Sequence, residues 1–221
     1  MTLPTSALDP HRDQPLRLAG EPLARARAAL IMIHGRGARA ENILETANDL
    51  PQAGLAFLAP QAAGDSWYPN RFLAPLADNE PWLSSALARI ESVLAQVAQA
   101  GLPPERTLLL GFSQGACLTL EFAARHARRY GGVVGLSGGL IGPEGTSRAY
   151  PGSLAGTPVF LGCSDVDPHI PKGLVHEAAD VFRRLGGEVT ERLYPNHDHS
   201  INPDELERVR AIIDGMLRGS G

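Results

Sequence analysis

Residues 107–130 read TLLLGFSQGACLTLEFAARHARRY, and the architecture of the chain can be worked out from this stretch. Its first six residues form an apolar run of the kind found in parallel strands that are buried on both faces. Residues 116–130 have a helical pattern. The stretch therefore predicts a strand, a tight turn at Ser113 and a helix.

The same alternation continues on both sides. Short apolar runs bounded by Gly or Pro predict strands at residues 28–33, 55–58, 107–111, 132–136, 158–162 and 189–194. Apolar residues at spacings of three and four predict helices over residues 83–97, 174–185 and 206–217, the last with Asn202 as N-cap and Pro203 at its first position. This pattern indicates the α/β class, with a mostly parallel, doubly wound sheet and helices on both faces.

Length and composition favour one ordinary globular domain. The chain has 221 residues, 43% of them hydrophobic and 20% charged. Residues 1–24 are rich in proline and show little periodicity, so they predict an N-terminal arm or an edge strand. Residues 25–221 are expected to form a single domain.

Charge and cysteine content argue against several classes of function. The net charge of -4 provides no basic field for nucleic acid, and no apolar run approaches the ~20 residues needed for membrane insertion. Two cysteines are too few for a disulfide framework, and the N-terminus lacks the apolar run of a signal peptide. These features predict a cytoplasmic protein.

A candidate nucleophile lies in the pattern G-x-S-x-G, which places a serine on a sharp strand-to-helix turn. The pattern occurs twice, around Ser113 and around Ser137. A strand precedes each serine, but Ser137 is followed by glycines and a proline that prevent a helix from starting. Only Ser113 has the strand–turn–helix setting, where the helix N-terminus favours a developing oxyanion. Ser113 is thus the predicted nucleophile and Ser137 a structural residue.

A serine hydroxyl needs an imidazole base, and the base needs a carboxylate that orients it. In this kind of fold the acid and then the base follow the serine along the chain. His197 and His199 lie in the loop between the last strand and the last helix, and His199 is favoured because it is nearer the helix. Asp165 and Asp167 both follow the strand at residues 158–162, and Asp167 is modestly favoured because a proline follows it.

Two further segments predict the surroundings of the serine. The turn His34-Gly35-Arg36-Gly37 follows the first long strand, and its glycines would let backbone N–H groups approach a bound carbonyl. Residues 61–81 form an unusually long connection. Its aromatic residues, with one just beyond it, would form the wall of an acyl pocket or simply cover the core; they are Trp67, Tyr68, Phe72 and Trp82.

Together these motifs resemble the phospholipase/carboxylesterase family of α/β-hydrolases, which includes the acyl-protein thioesterases. The matching segments are residues 33–37, 111–116 and 167–171, and His199 ahead of residues 204–206. The resemblance implies an α/β-hydrolase fold, Asp167 as the acid, His199 as the base and no cofactor. It also implies an oxyanion hole made by the backbone N–H groups of Arg36 and Gln114. Ala38 and His169 depart from the family pattern, and His169 is expected in the substrate site.

The predicted function is that of a serine carboxylesterase that cleaves small to medium acyl esters through an acyl-enzyme on Ser113. A thioesterase acting on acyl-proteins or acyl-CoA is the alternative. A metal-dependent hydrolase would use five residues, Asp165, Asp167, His169, His197 and His199, but their spacing fits no zinc motif and the triad explains the same residues. A non-catalytic binder of small molecules is disfavoured because every triad position is filled. The expected partner is a small acyl ester, and a homodimer is a possible assembly.

Overall fold

The computed structural model describes residues 9–218, which build one mixed sheet with helices on both faces. Its strands are β1 (Leu16–Gly20), β2 (Ala28–Ile33), β3 (Leu55–Pro60), β4 (Thr107–Phe112), β5 (Gly132–Leu136), β6 (Pro158–Ser164) and β7 (Glu188–Tyr194). Their order across the sheet is β1-β3-β2-β4-β5-β6-β7. β1 pairs antiparallel with β3, and all the other pairs are parallel.

The helices are α1 (Ala40–Glu45), α2 (Trp82–Gln99), α3 (Gln114–Arg125), α4 (Lys172–Arg184) and α5 (Pro203–Arg218). Helices α2, α3 and α4 pack on one face of the sheet, and α1 and α5 cover the other. In β2, alternate residues contribute to the two cores, since Ile31 faces the first set of helices and Leu30 the second. No helix within residues 9–218 is long and apolar enough to cross a membrane.

The structure confirms the α/β class and the six strands that the apolar runs predict. Part of the proline-rich N-terminal segment forms the edge strand β1, and residues 1–8 of that segment lie outside the described residues. The helix predicted after Ser113 is shorter than expected, because it ends at Arg125 and Ala127 then forms a bridge with Gly152. Helix α1 has no counterpart among the predictions, since its six residues are too few to show a period.

All the parallel strands point the same way, so their carboxyl ends meet at one edge of the sheet. Ser113 follows β4, Asp167 lies just beyond β6 and His199 lies between β7 and α5. The turn at residues 34–37, which follows β2, lies beside Ser113 because β2 pairs with β4. The topology alone therefore gathers the predicted residues at one edge.

Candidate active site

Ser113 is held in a strained turn between β4 and α3. Its backbone has φ 55° and ψ -120°, a conformation that costs a non-glycine residue about 1–3 kcal/mol. The two glycines of the motif are required by close packing: a Cβ at Gly111 would overlap the carbonyl of Gly115, and one at Gly115 would overlap the carbonyl of Ile33. The motif thus allows β2, β4 and α3 to approach closely enough to expose the serine hydroxyl.

Ser113, His199 and Asp167 form one hydrogen-bonded chain. The Ser113 hydroxyl lies 2.9 Å from Nε2 of His199, and Nδ1 of His199 lies 2.6 Å from Oδ2 of Asp167. The carboxylate can only accept from Nδ1–H, which leaves Nε2 as the acceptor for the serine proton. The geometry therefore selects the tautomer that a general base requires.

Asp167 is a buried carboxylate with several donors. Its side chain is fully buried, and its Oδ1 accepts the backbone N–H groups of His169 at 2.8 Å and Ile170 at 3.0 Å. Burial alone would raise the pKa of Asp167, but the hydrogen bonds from His199 and from these two backbone groups outweigh it and lower the pKa. The carboxylate stays ionised beside the imidazole.

Two rings bracket the His199 imidazole. The ring of Phe112 lies 5.1 Å from it, and the ring of His169 packs edge-on at 4.9 Å, measured between centroids. The His199 side chain is 18% exposed, so the imidazole is shielded yet still reachable from the pocket. His169 therefore contacts the His199 ring.

The other candidate residues have separate contacts. Asp165 accepts the backbone N–H of Asn196, and His197 contacts the Ser200 hydroxyl. Ser137 is buried beside β6, where its N–H donates to Gly162. Within the described residues, no three His, Cys, Asp or Glu side chains are grouped so as to hold a metal ion.

Two free backbone N–H groups lie near the serine, one on the turn after β2 and one at the start of α3. Arg36 and Gln114 both line the pocket with Ser113, and neither backbone N–H has an acceptor among residues 9–218. His34 supports this turn: its Nδ1 donates to the Gly35 carbonyl, and its Nε2 accepts the N–H of Ala62. Burial lowers the pKa of His34, so the ring is neutral and keeps this pattern.

The side chains of Arg36 and Gln114 anchor the long loop. The Arg36 guanidinium donates to the Ser66 hydroxyl and to the carbonyls of Tyr68, Pro69 and Asn70. The Gln114 amide accepts the N–H of Trp67 and donates to the carbonyl of Tyr68. The loop and the free N–H groups are therefore fixed to the same two residues.

The pocket that contains Ser113 and His199, the candidate catalytic pocket, is a cavity of about 380 Å³, near the lower end of the range for small-molecule sites. Three of the residues predicted for the substrate site, Tyr68, Phe72 and His169, are among those that line it. Trp67 and Trp82 lie elsewhere. Trp67 is fully buried and donates its indole N–H to the His34 carbonyl, while Trp82 packs against the ring of His11. These two tryptophans pack in or against the core under the long loop and do not line the pocket.

Several lining residues were not singled out from the sequence. Cys117 lines the pocket one helical turn after Ser113, a spacing that could have identified it. Burial raises the pKa of the Cys117 thiol to about 12, so the thiol is neutral. Ile170 and Arg71 also line the pocket. Arg71 has no sequence signal beyond its position in the long aromatic loop.

Comparisons with known proteins identify a family profile and a solved structure that match most of the chain. The profile of the family described as Phospholipase/Carboxylesterase matches residues 20–217. A phospholipase/carboxylesterase of Dyadobacter fermentans with a solved structure is 40% identical, with a TM-score of 0.87, over 91% of this chain and 96% of that one.

More distant relatives carry the name acyl-protein thioesterase. Acyl-protein thioesterase 1 of Saccharomyces cerevisiae is 34% identical over 63% of this chain, and the match spans only 62% of the yeast protein's length. The structure of acyl-protein thioesterase 2 of Zea mays covers 92% of this chain and 99% of its own, with a TM-score of 0.70. At 18% identity, that similarity concerns the fold alone.

Proposed function

Because this chain belongs to the phospholipase/carboxylesterase family of α/β-hydrolases, we propose that it is a serine carboxylesterase acting on small to medium acyl esters. The observation that carries the proposal is the chain of hydrogen bonds from the Ser113 hydroxyl through His199 to Asp167. The free N–H groups of Arg36 and Gln114 in the same pocket support it.

In the proposed reaction, the Ser113 oxygen attacks the ester carbonyl while Nε2 of His199 takes its proton. The carbonyl oxygen becomes an oxyanion that accepts hydrogen bonds from the backbone N–H groups of Arg36 and Gln114. When this intermediate collapses, the carbon–oxygen bond to the alcohol breaks and His199 gives its proton to the leaving oxygen. Water then attacks the acyl-enzyme by the same steps and releases the acid. Asp167 orients His199 throughout, and no cofactor takes part.

The pocket volume supports the choice of acyl chain. A cavity of about 380 Å³ lined by Tyr68, Phe72 and Ile170 suits short and medium chains better than long ones. Initial rates on p-nitrophenyl esters from acetate to laurate, for the wild type and Ser113→Ala, test both function and chain length. We expect turnover that disappears in the variant and is unaffected by EDTA. Equal rates in both proteins would overturn the serine mechanism, and inhibition by EDTA would favour a metal ion.

Thioester hydrolysis is the second candidate, supported by the similarity to the yeast acyl-protein thioesterase. The same Ser113 attack would release a thiol instead of an alcohol. Matched octanoyl ester and octanoyl thioester substrates, compared by kcat/KM, separate the two. A thioester preference larger than that of a non-enzymatic nucleophile would make thioesterase the main activity.

We further propose a cytoplasmic location and a homodimer. The two cysteines, Cys117 and Cys163, are free and buried, which fits a reducing compartment. The outer edge of β1 is unpaired within the described sheet, and Leu18 on that strand is 64% exposed, which fits pairing with a second copy. Cell fractionation and light scattering after size exclusion test the two proposals.

A further inference from the structure

The charge of the catalytic pocket differs from that of the protein as a whole. The chain has a net charge of -4, yet the described residues that line this pocket include two arginines and two histidines and no aspartate or glutamate. The triad carboxylate of Asp167 is fully buried and bonded to His199, outside the lining. The pocket is therefore a local basic site on an acidic protein.

The first of the two arginines is fully engaged. Arg36 makes four hydrogen bonds, all to the loop at residues 66–70. Three of its four acceptors are main-chain carbonyls, which position the guanidinium without neutralising it. Its role is to hold the wall of the pocket.

The second arginine is unengaged. The Arg71 side chain is exposed in the pocket lining. It has no hydrogen bond or ion pair with any residue in the described range 9–218. Its backbone is nevertheless fixed, because its carbonyl accepts from Ala74 N–H at 3.0 Å and from the Asn79 amide at 3.4 Å. The following residue, Phe72, is buried. An anchored backbone thus presents a free guanidinium at the catalytic pocket.

The remaining polar groups of the wall do not offset this charge. Burial raises the pKa of Cys117 to about 12 and that of Tyr68 well above its usual range, so both groups remain neutral. A guanidinium offers paired N–H donors in a plane that matches a carboxylate or a phosphate. An anion in the pocket would meet no carboxylate in the lining.

We propose that Arg71 binds an anionic group of the substrate, a carboxylate or phosphate on either the acyl chain or the alcohol, so that the enzyme prefers acidic esters. This inference rests on the proposed esterase function. It assigns Arg71 as a specificity-determining residue and leaves the reaction at Ser113 unchanged.

The test compares matched pairs of esters that differ in one charge. Mono-p-nitrophenyl adipate against p-nitrophenyl hexanoate places the anion on the acyl side, and 4-acetoxybenzoate against 4-acetoxybenzamide places it on the leaving side. The readout is the ratio of kcat/KM for the acidic over the neutral ester, at low and high salt. The variants are Arg71→Gln, Arg71→Lys and Arg25→Gln; Arg25 is a 75% exposed control that precedes β2 at the opposite end of the strand.

We expect a ratio well above one for at least one pair, and the pair that shows it identifies where the anion lies. Arg71→Gln should lower that ratio about tenfold, equivalent to about 1.4 kcal/mol, while Arg71→Lys should recover part of it and Arg25→Gln should retain it. High salt should reduce the preference, because Arg71 is exposed. Ratios near one for both pairs, or a ratio unchanged in Arg71→Gln, would overturn the inference. Loss of turnover on every ester would instead count against the esterase function.

Discussion

Nδ1 of His34 donates a hydrogen bond to the carbonyl oxygen of Gly35, the next residue along the chain, across 2.8 Å. That carbonyl belongs to the same planar peptide unit as the N–H of Arg36, and in a trans peptide the two groups point in opposite directions. The bond therefore fixes the direction of an N–H group that we propose as an oxyanion donor. His34 is a positioning residue in this mechanism.

Replacing His34 should lower kcat while it leaves KM almost unchanged. Loss of one oxyanion donor costs about 10²–10³ in kcat, and a misdirected donor should cost somewhat less, so we expect His34→Ala to lower kcat by about 10–100-fold with little change in KM. His34→Asn keeps a donor near the Gly35 carbonyl and should lose less. Thermal unfolding would verify that both variants are folded at the assay temperature. A folded His34→Ala variant with wild-type kcat would remove His34 from the mechanism.

The two candidate acids can be separated by an isosteric pair of variants. Asp167→Asn loses the negative charge and can favour the wrong tautomer of His199, so kcat should fall by about 10²–10⁴. Asp165→Asn is the matched control, because Asp165 accepts only the backbone N–H of Asn196 among the described contacts and an amide oxygen can do the same. Steady-state rates on one ester measure both. A larger loss in Asp165→Asn would reverse the assignment.

We expect Glu205 to make the free energy of unfolding depend on pH. It forms a capping box with Asn202 at the start of α5, as the predicted N-cap requires: the Asn202 side chain accepts the Glu205 N–H, and Glu205 accepts the Asn202 N–H. Burial raises the pKa of Glu205 from 4.5 to about 7. A raised pKa in the folded state means that stability present at low pH is lost as the pH rises towards 7.

Glu205→Gln keeps the shape and removes the titration. We expect the free energy of unfolding of Glu205→Gln, measured relative to that of the wild type, to increase between pH 5 and pH 8. The increase should be at most about 3 kcal/mol. Urea unfolding at several pH values measures the difference. Glu207→Gln, an exposed position in the same helix, should show a flat difference over the range. A flat difference for Glu205→Gln as well would contradict the prediction.

Two glycine-to-alanine substitutions should change the stability of the protein in opposite directions. Gly115→Ala forces a methyl group into the backbone of Ile33 and should strongly destabilise or unfold the protein. Gly215→Ala lies in α5 at an exposed position, with no atom within 4 Å of the added Cβ, and should stabilise it by about 0.5–1 kcal/mol. Denaturant midpoints measure both. Equal effects would mean that the close contact at Gly115 relaxes at low cost.

The strands and the candidate triad could be predicted because each leaves a local signal. Buried parallel strands require apolar runs, and the serine turn requires Gly111 and Gly115 at fixed positions. Asp165 and Asp167 follow the same strand, so the proline after Asp167 gave only a small preference for it, and the family resemblance added to that preference. The local sequence thus predicted the strands and the serine turn, and the resemblance favoured one of the two candidate acids.

The contacts that shape the pocket leave no such signal. His11 lies in the segment predicted as an arm or an edge strand. Its side chain is fully buried and forms hydrogen bonds with the carbonyl of Trp67 and the N–H of Ala63. Arg36 likewise bonds carbonyls that are more than thirty positions away. A main-chain carbonyl is common to every residue type, so a partner of this kind cannot be identified from the letters of the sequence.

That property of Arg36 has a consequence for how the substrate range could change. Because the guanidinium recognises the main chain of Tyr68, Pro69 and Asn70, it places few demands on which side chains those positions carry. Pro69 and Asn70 are exposed, so substitutions at these two positions could change the loop surface while the backbone next to the proposed oxyanion donors keeps its place. New substrate specificities could therefore arise from the exposed side chains of this loop without a change in the residues that hold its backbone.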